Sequence, residues 1–160
     1  MDERVAEKKP RISTLGHIGL EQFAPYLMNR IMGRYNASLR ADLKAQGLTV
    51  PQARALAVLS VGDGMTVNEL SVFTVIEQST MSRTLDAMET QGLVRREPCL
   101  DDSRARKIFL TERGREEFSR FWPAMHDAFE HMFRGVDDAE YAAFIGTLQK
   151  MLRNIRKHDF

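Results

Sequence analysis

The sequence predicts a mainly α fold with a small β-hairpin, and three observations carry that reading. Apolar residues recur at helical spacing in two long stretches, about 20–46 and 112–158, and in three shorter ones between them. Two short runs, Leu93 to Glu97 and Arg106 to Leu110, flank a polar turn from Pro98 to Ala105 that is rich in Asp and Arg. Glycines at 47, 62, 64, 92 and 135 punctuate the periodic stretches. A chain of 160 residues buries roughly 70% of its extended surface, so one core suffices without cross-links. The single Cys99 permits no internal disulfide, which points to a reducing compartment. The longest apolar run, Ala55 to Leu59, falls far short of the roughly 20 residues of a membrane span. The first sixteen residues hold no apolar segment of a secretory signal, so the expected location is the cytoplasm, without membrane contact. With 23 Lys and Arg against 22 Asp and Glu the net charge is +1, which excludes a histone-like basic coat. Any contact with nucleic acid is therefore local and patterned.

Taken in order, residues 1–19 are polar and unperiodic until Ile12, with Pro10 as a breaker, and are expected to form a mobile arm. From about Leu20 to Gln46 the residues Phe23, Leu27, Ile31, Tyr35, Leu39 and Leu43 define a long first helix stopped by Gly47, although Pro25 fits only a first turn or a kink. Thr49 before Pro51 suits an N-cap and first-turn proline, and the second helix runs to the Gly62-Asp63-Gly64 turn. Thr66 and Glu69 form a capping box for a short third helix starting at Val67. A fourth helix spans about Gln78 to Gln91 and ends at Gly92; Met81, Leu85 and Met88 are its apolar side, Ser79, Arg83 and Asp86 face away, and Thr80 and Ser82 lie on the flanks. After the hairpin, Thr111 caps a fifth helix striped by Phe118, Phe121, Trp122, Met125, Phe129, Met132 and Phe133, with a kink expected at Pro123. Asp137 with Glu140 opens a sixth, whose Tyr141, Phe144, Ile145, Leu148, Met151, Leu152 and Ile155 fall within about 120° of its circumference.

Helices followed by a hairpin between Pro51 and Leu110 are the elements of a winged helix-turn-helix, in which the second helix of the turn motif enters the major groove and the wing reaches the minor groove. Gly47-Leu48-Thr49, the run Ser79-Thr80-Met81-Ser82-Arg83, the exit Gly92-Leu93-Val94-Arg95-Arg96, and Asp102-Ser103-Arg104 followed by Leu110-Thr111-Glu112-Arg113-Gly114 make the chain recognisable. Over about Leu20 to Ile155 it resembles the multiple antibiotic resistance regulator (MarR) family. The Asp-x-Arg of the wing with Leu-Thr-x-x-Gly behind it is the most specific part of that resemblance. It implies a transcriptional regulator with a DNA-binding region at 47–111, a helical dimerisation region at 20–46 and 112–158, and an arm at 1–19.

Candidate DNA contacts are Gln78, Ser79, Thr80, Ser82 and Arg83 near the start of the fourth helix: short donors and one forked donor, suited to phosphates and base edges. Arg83 is the first choice for base readout. The resemblance makes Arg104 the wing-tip arginine of the minor groove, with Asp102 orienting it, and Arg106 and Lys107 then reach phosphates. The competing reading is a set of solvated surface charges. Asp86 sits awkwardly on this face; an Arg83–Asp86 pair three residues apart, or a contact to a cytosine amino group, would account for it.

The first, fifth and sixth helices carry more apolar stripe than so small a domain needs, which predicts a homodimer. The resemblance implies dimerisation through both ends of the chain and a pseudo-palindromic double-stranded DNA operator read at half-sites about 34–36 Å apart. It also implies a signal: a small aromatic or organic acid, an oxidant or a metal. Met28, Met32, Tyr35, Arg54 and Met65 come from segments expected to line an effector pocket, with core packing as the alternative for the methionines and tyrosine. Cys99, near Arg95, Arg96 and Arg104, is either a small filler or a reactive thiol of a redox-responsive regulator. His126 and His131 project about 140° apart on one helix and do not chelate together, although His126 with Glu130 supplies half a site; no metal or cofactor is expected. The chain lacks Gly-x-Ser-x-Gly, a phosphate-binding loop and His-Glu-x-x-His, so an enzyme is not expected. The main rival is a winged-helix module that binds a protein partner.

Overall fold

The computed structural model describes residues 14–99 and 105–158. They fall in two compact units, one ending at Ala37 and the other starting at Ser38. The element order is α1 (Leu15–Ile18), a 3-10 turn (Leu20–Gln22), α2 (Ala24–Ala45), α3 (Val50–Val61), β1 (Met65–Thr66), α4 (Val67–Thr74), α5 (Gln78–Thr90), β2 (Val94–Pro98), β3 (Arg106–Leu110), α6 (Glu112–Met132) and α7 (Asp138–Ile155). The mainly α fold with a β wing is as expected, with two differences at its start. A helical turn lies within the expected arm at Leu15–Ile18, and the expected helix from Leu20 begins only at Ala24. Gly19, at φ 76, separates the turns, and Pro25 sits in the first turn of α2, where its missing N–H costs nothing.

Local capping fixes the boundaries. Thr49 and Gln52 form a reciprocal box at α3, as do Thr66 with Glu69 at α4 and Asp137 with Glu140 at α7. Each box satisfies two amides that the first turn leaves without partners. Gly47, at φ 73, lets Leu48 turn back and donate its N–H to the Leu43 carbonyl at 2.8 Å, closing α2.

The sheet holds three antiparallel strands in the order β1-β3-β2, so the expected hairpin gains a third strand. Met65 pairs with Ile108 and Thr66 with Lys107. Pro98 lies in β2 opposite Arg106, which is tolerated because β2 is an edge strand. The core of the larger unit is largely apolar: Leu56, Leu59, Leu70, Met81, Leu85, Met88 and Ile108 are completely buried, joined by Leu39 and Leu43 from the end of α2 and Phe121 from α6. Each such side chain contributes about 1.5–3 kcal/mol by leaving water. α6 continues through Pro123, where a kink was expected, to a cap at Phe133 with Gly135 beyond it at φ 85. α7 buries no residue, and its links to α6 are the ring contacts of Phe129 and Phe133 with Tyr141 and of Phe133 with Phe144.

Candidate nucleic-acid interface

α5 is held on its apolar row. Met81, Leu85 and Met88 are fully buried, which leaves the polar rows outside. One outer row holds the exposed Ser79 and Arg83; the other, Gln78, Ser82 and Asp86, lines a concavity of about 380 Å³ together with Asn68, Arg96 and Arg106. Gln78, Ser82 and Arg106 of the expected set are thus brought together. Arg83 donates its Nε hydrogen to the Ser79 carbonyl at 3.3 Å and is in no ion pair among the described residues.

The expected Arg83–Asp86 pair does not form. Asp86 instead accepts from Arg96 at 2.6 Å, and the other terminal nitrogen of Arg96 reaches Glu89 at 3.0 Å. The reason is geometric. Arg96 stands on β2 directly opposite Ile108, so its side chain leaves the inner sheet face toward α5 and spans two carboxylates one turn apart. The clamp neutralises charge on both carboxylates and ties α5 to β2.

Arg106 and Lys107 also part company. Successive strand residues point to opposite faces. Arg106 shares its face with buried Ile108, whereas Lys107 lies on the outer face, in register with Glu97. On that outer face Arg95 covers the Phe109 ring at 4.7 Å from its centroid and pairs with Glu97. The wing-tip residues Asp102 and Arg104 lie outside the described residues.

The N-terminus of α5 carries a residue that sequence reasoning missed. Glu77 is the N-cap: one carboxylate oxygen accepts from the Ser79 amide at 3.2 Å, and the other from the Ser79 hydroxyl, the Thr80 amide at 3.3 Å and the Thr80 hydroxyl at 3.4 Å. The Ser79 hydroxyl bond, followed by the Ser79 amide, lowers the Glu77 pKa below the ordinary glutamate value. Two of the three hydroxyls expected to contact DNA, those of Ser79 and Thr80, are therefore already donating to Glu77. An acidic residue one position before the helix was the available signal, passed over because Ser, Thr, Asp and Asn are the usual caps.

Leu110-Thr111-x-x-Gly114 has a physical explanation. The Thr111 hydroxyl donates to the Gly92 carbonyl at 2.6 Å and accepts from the Gly114 amide at 3.0 Å, while the Thr111 amide donates to the Leu93 carbonyl at 3.1 Å. A Cβ at Gly114 would sit 2.1 Å from the Leu93 carbonyl oxygen, so only glycine lets α6 approach the exit of α5 this closely. Asp63 completes the joint by accepting from the Leu110 amide at 2.9 Å and the Arg115 guanidinium at 3.0 Å.

The residues expected to line an effector pocket are divided between the two units. Met28 and Tyr35 are half-buried, Met32 is 45% exposed, and burial raises the Tyr35 pKa. These three belong to the first unit, whereas Arg54 and Met65 belong to the second. Arg54 donates to the Thr74 carbonyl at 3.1 Å, at the end of α4, and Met65 pairs in β1. Cys99 is half-buried and its amide donates to the Ala105 carbonyl at 3.1 Å, one step beyond the β2–β3 pairing. His126 stands 3.7 Å from Glu130, and among the described residues no group of three or more His, Cys, Asp or Glu is placed to hold a metal. Among them, too, no helix is long and apolar enough to cross a membrane.

Known proteins share this arrangement. The MarR family model matches residues 46–105, which run from the end of α2 to the wing. A MarR family transcriptional regulator from Silicibacter pomeroyi, known from its crystal structure, is 50% identical, with a TM-score of 0.88 over 92% of this chain and 99% of that one. The HTH-type transcriptional repressor IacR of Pseudomonas putida is 27% identical over 135 residues, 84% of this chain and 81% of that protein. CouR from Rhodococcus jostii RHA1, crystallised with p-coumaroyl-CoA, is 21% identical and shares the fold at a TM-score of 0.74 over 88% of this chain and 99% of that one. The exposed polar rows of α5, the sheet that forms the wing and half-identity along nearly the whole of both chains agree: the protein belongs to the MarR family of transcriptional regulators.

Proposed function

We propose that the protein is a homodimeric repressor that binds a pseudo-palindromic operator through α5 and the wing, and that a small organic effector sets its affinity for DNA. The observation that carries the reading is the polar outside of α5 seated on a fully buried apolar row and clamped to the wing by Arg96. In this reading Gln78, Ser82 and Arg83 face bases and phosphates, Arg106 and Lys107 reach phosphates from the two faces of β3, and Asp102 orients Arg104 in the minor groove. Repression follows the relation to IacR.

Dimerisation is supported by apolar side chains that one chain leaves in water: Trp122 on α6 is 45% exposed, and Phe144, Leu152 and Ile155 on α7 are 40%, 63% and 75% exposed. A two-fold dimer places two copies of α5 about one helical turn of DNA apart. For the effector, CouR was crystallised with p-coumaroyl-CoA, and an aromatic or organic acid suits the methionine-rich segment around Met28 and Met32. A few kcal/mol of differential binding is enough to shift a two-state DNA-binding module.

The test is binding of the purified protein to a labelled duplex from upstream of its own gene, at two salt concentrations, with Arg83→Ala and Arg104→Ala beside it. The reading requires tight binding that falls steeply with salt and is weakened in both variants. Glu77 and Asp86, two carboxylates at the interface, favour a second reading as a protein-binding module. That module would show a salt-insensitive partner and equal, weak binding of all three proteins to any duplex.

A further inference from the structure

Three acids stand on or beside the polar outside of α5, and the structure treats them differently: Asp86 and Glu89 share Arg96, and Glu77 does not. Asp86 is neutralised by Arg96 at 2.6 Å. Glu77 has no cationic partner among the described residues; its carboxylate is exposed and held only by amides and hydroxyls of Ser79 and Thr80. One of its oxygens, Oε1, accepts a single bond, from the Ser79 amide at 3.2 Å, and so keeps acceptor capacity. Four hydrogen bonds fix the carboxylate in place, so it is a preorganised acceptor rather than a mobile surface charge. It also stands at the N-terminal end of the second helix of the turn motif, the end from which such helices contact base edges.

From this we infer that Glu77 is a specificity residue that accepts a hydrogen bond from the exocyclic amino group of one cytosine in each half-site. The inference rests on the proposed DNA-binding reading. A carboxylate offers acceptors only, and it repels phosphates and the acceptor edges of guanine and thymine. In the major groove adenine's amino donor is flanked by two acceptors, its own N7 and the O4 of the paired thymine, whereas cytosine's is flanked by one, the O6 of the paired guanine. Cytosine is therefore the base that an ionised Glu77 tolerates best. The low pKa of Glu77 keeps it ionised throughout the neutral range.

Glu77→Gln tests this with most of the helix cap retained, because the amide oxygen can take the place of Oε2, which accepts from the Ser79 hydroxyl and from the amide and hydroxyl of Thr80. With the amide oxygen kept in the place of Oε2 for the cap, the amide nitrogen faces the base in the place of Oε1 and can only donate, so the variant should prefer guanine, which presents acceptors alone, where the parent prefers cytosine. Both full-length proteins are put through selection from a pool of random duplexes, and the enriched duplexes and their single-base variants are then titrated by fluorescence anisotropy. The expected result is one position per half-site that is cytosine for the parent and guanine for Glu77→Gln, with about tenfold to hundredfold preference reversed between them. A purely structural cap would weaken binding to every sequence alike and leave the preferred bases unchanged. Enrichment of the same base at every position by both proteins overturns the inference and leaves the DNA-binding reading intact. Failure of the parent to enrich any sequence overturns both.

Discussion

The segment from α3 to β3 and the pair α6–α7 solve the burial problem in opposite ways. In the first, α3, α4, α5 and the sheet close on Leu56, Leu59, Leu70, Leu85 and Ile108 without leaving any of them in water. In the second, α7 buries nothing, and Leu152 and Ile155 are 63% and 75% exposed on its last turns. The core of the wing module closes within one chain, with Val61, Phe73 and Val75 left exposed at its surface, while α6 and α7 end in exposed apolar side chains that the proposed dimer would cover. Substitutions should therefore separate cleanly: those in the module change folding, and those on α7 change association.

The largest effect belongs to the module's core. Leu85→Ala leaves a cavity where the side chain is fully buried and should cost about 2–5 kcal/mol, read as a lower denaturant midpoint at unchanged m-value. Gly114→Ala comes next, because its methyl group meets backbone rather than a movable side chain; about 1–3 kcal/mol is expected in the same titration. Val75→Gly should move stability the other way. Val75 caps α4 at φ 55 and ψ 47, a left-handed conformation costly for a β-branched residue, and glycine relieves it for a net gain of up to about 1 kcal/mol after the added freedom of the unfolded chain.

On the other side of the comparison, Leu152→Glu should leave the unfolding free energy of the monomer within about 0.5 kcal/mol, since the side chain is exposed there. Light scattering after size exclusion should show the parent as a dimer and the variant as a monomer at the same concentration. A monomeric parent would break the comparison. The smallest effect is electrostatic. Because the folded pKa of Glu77 is lowered, its capping contribution is present above the unfolded pKa and is lost as pH falls through the folded one, below the ordinary glutamate range. Carboxyl NMR should place the Glu77 midpoint below that range, and Glu77→Gln should remove the matching pH dependence of Ser79 amide exchange.

What was legible in the sequence was what is local. Thr49, Thr66, Thr111 and Asp137 were read as caps because a cap and its partner lie within three residues. The buried row Met81, Leu85, Met88 followed from helical spacing alone. Strand β1 was not legible: two residues carry no periodicity, and Met65 pairs with Ile108, far along the chain. The Asp86–Arg96 pair was not legible for the same reason, since it joins a helix residue to a strand residue ten positions on rather than a neighbour on the same helix. Of the candidate site, the helix face was visible, but the hydrogen bonds that commit Ser79 and Thr80 to Glu77 required coordinates.

The central claim is that two wing modules, joined through their terminal helices, read one operator. Hydroxyl-radical footprinting of the complex on a duplex from upstream of its own gene tests it most directly. The account predicts two protected blocks with centres about 10–10.5 base pairs apart, or a whole multiple of that spacing, symmetric about a dyad. A single block, or protection spread evenly along the duplex, would contradict it.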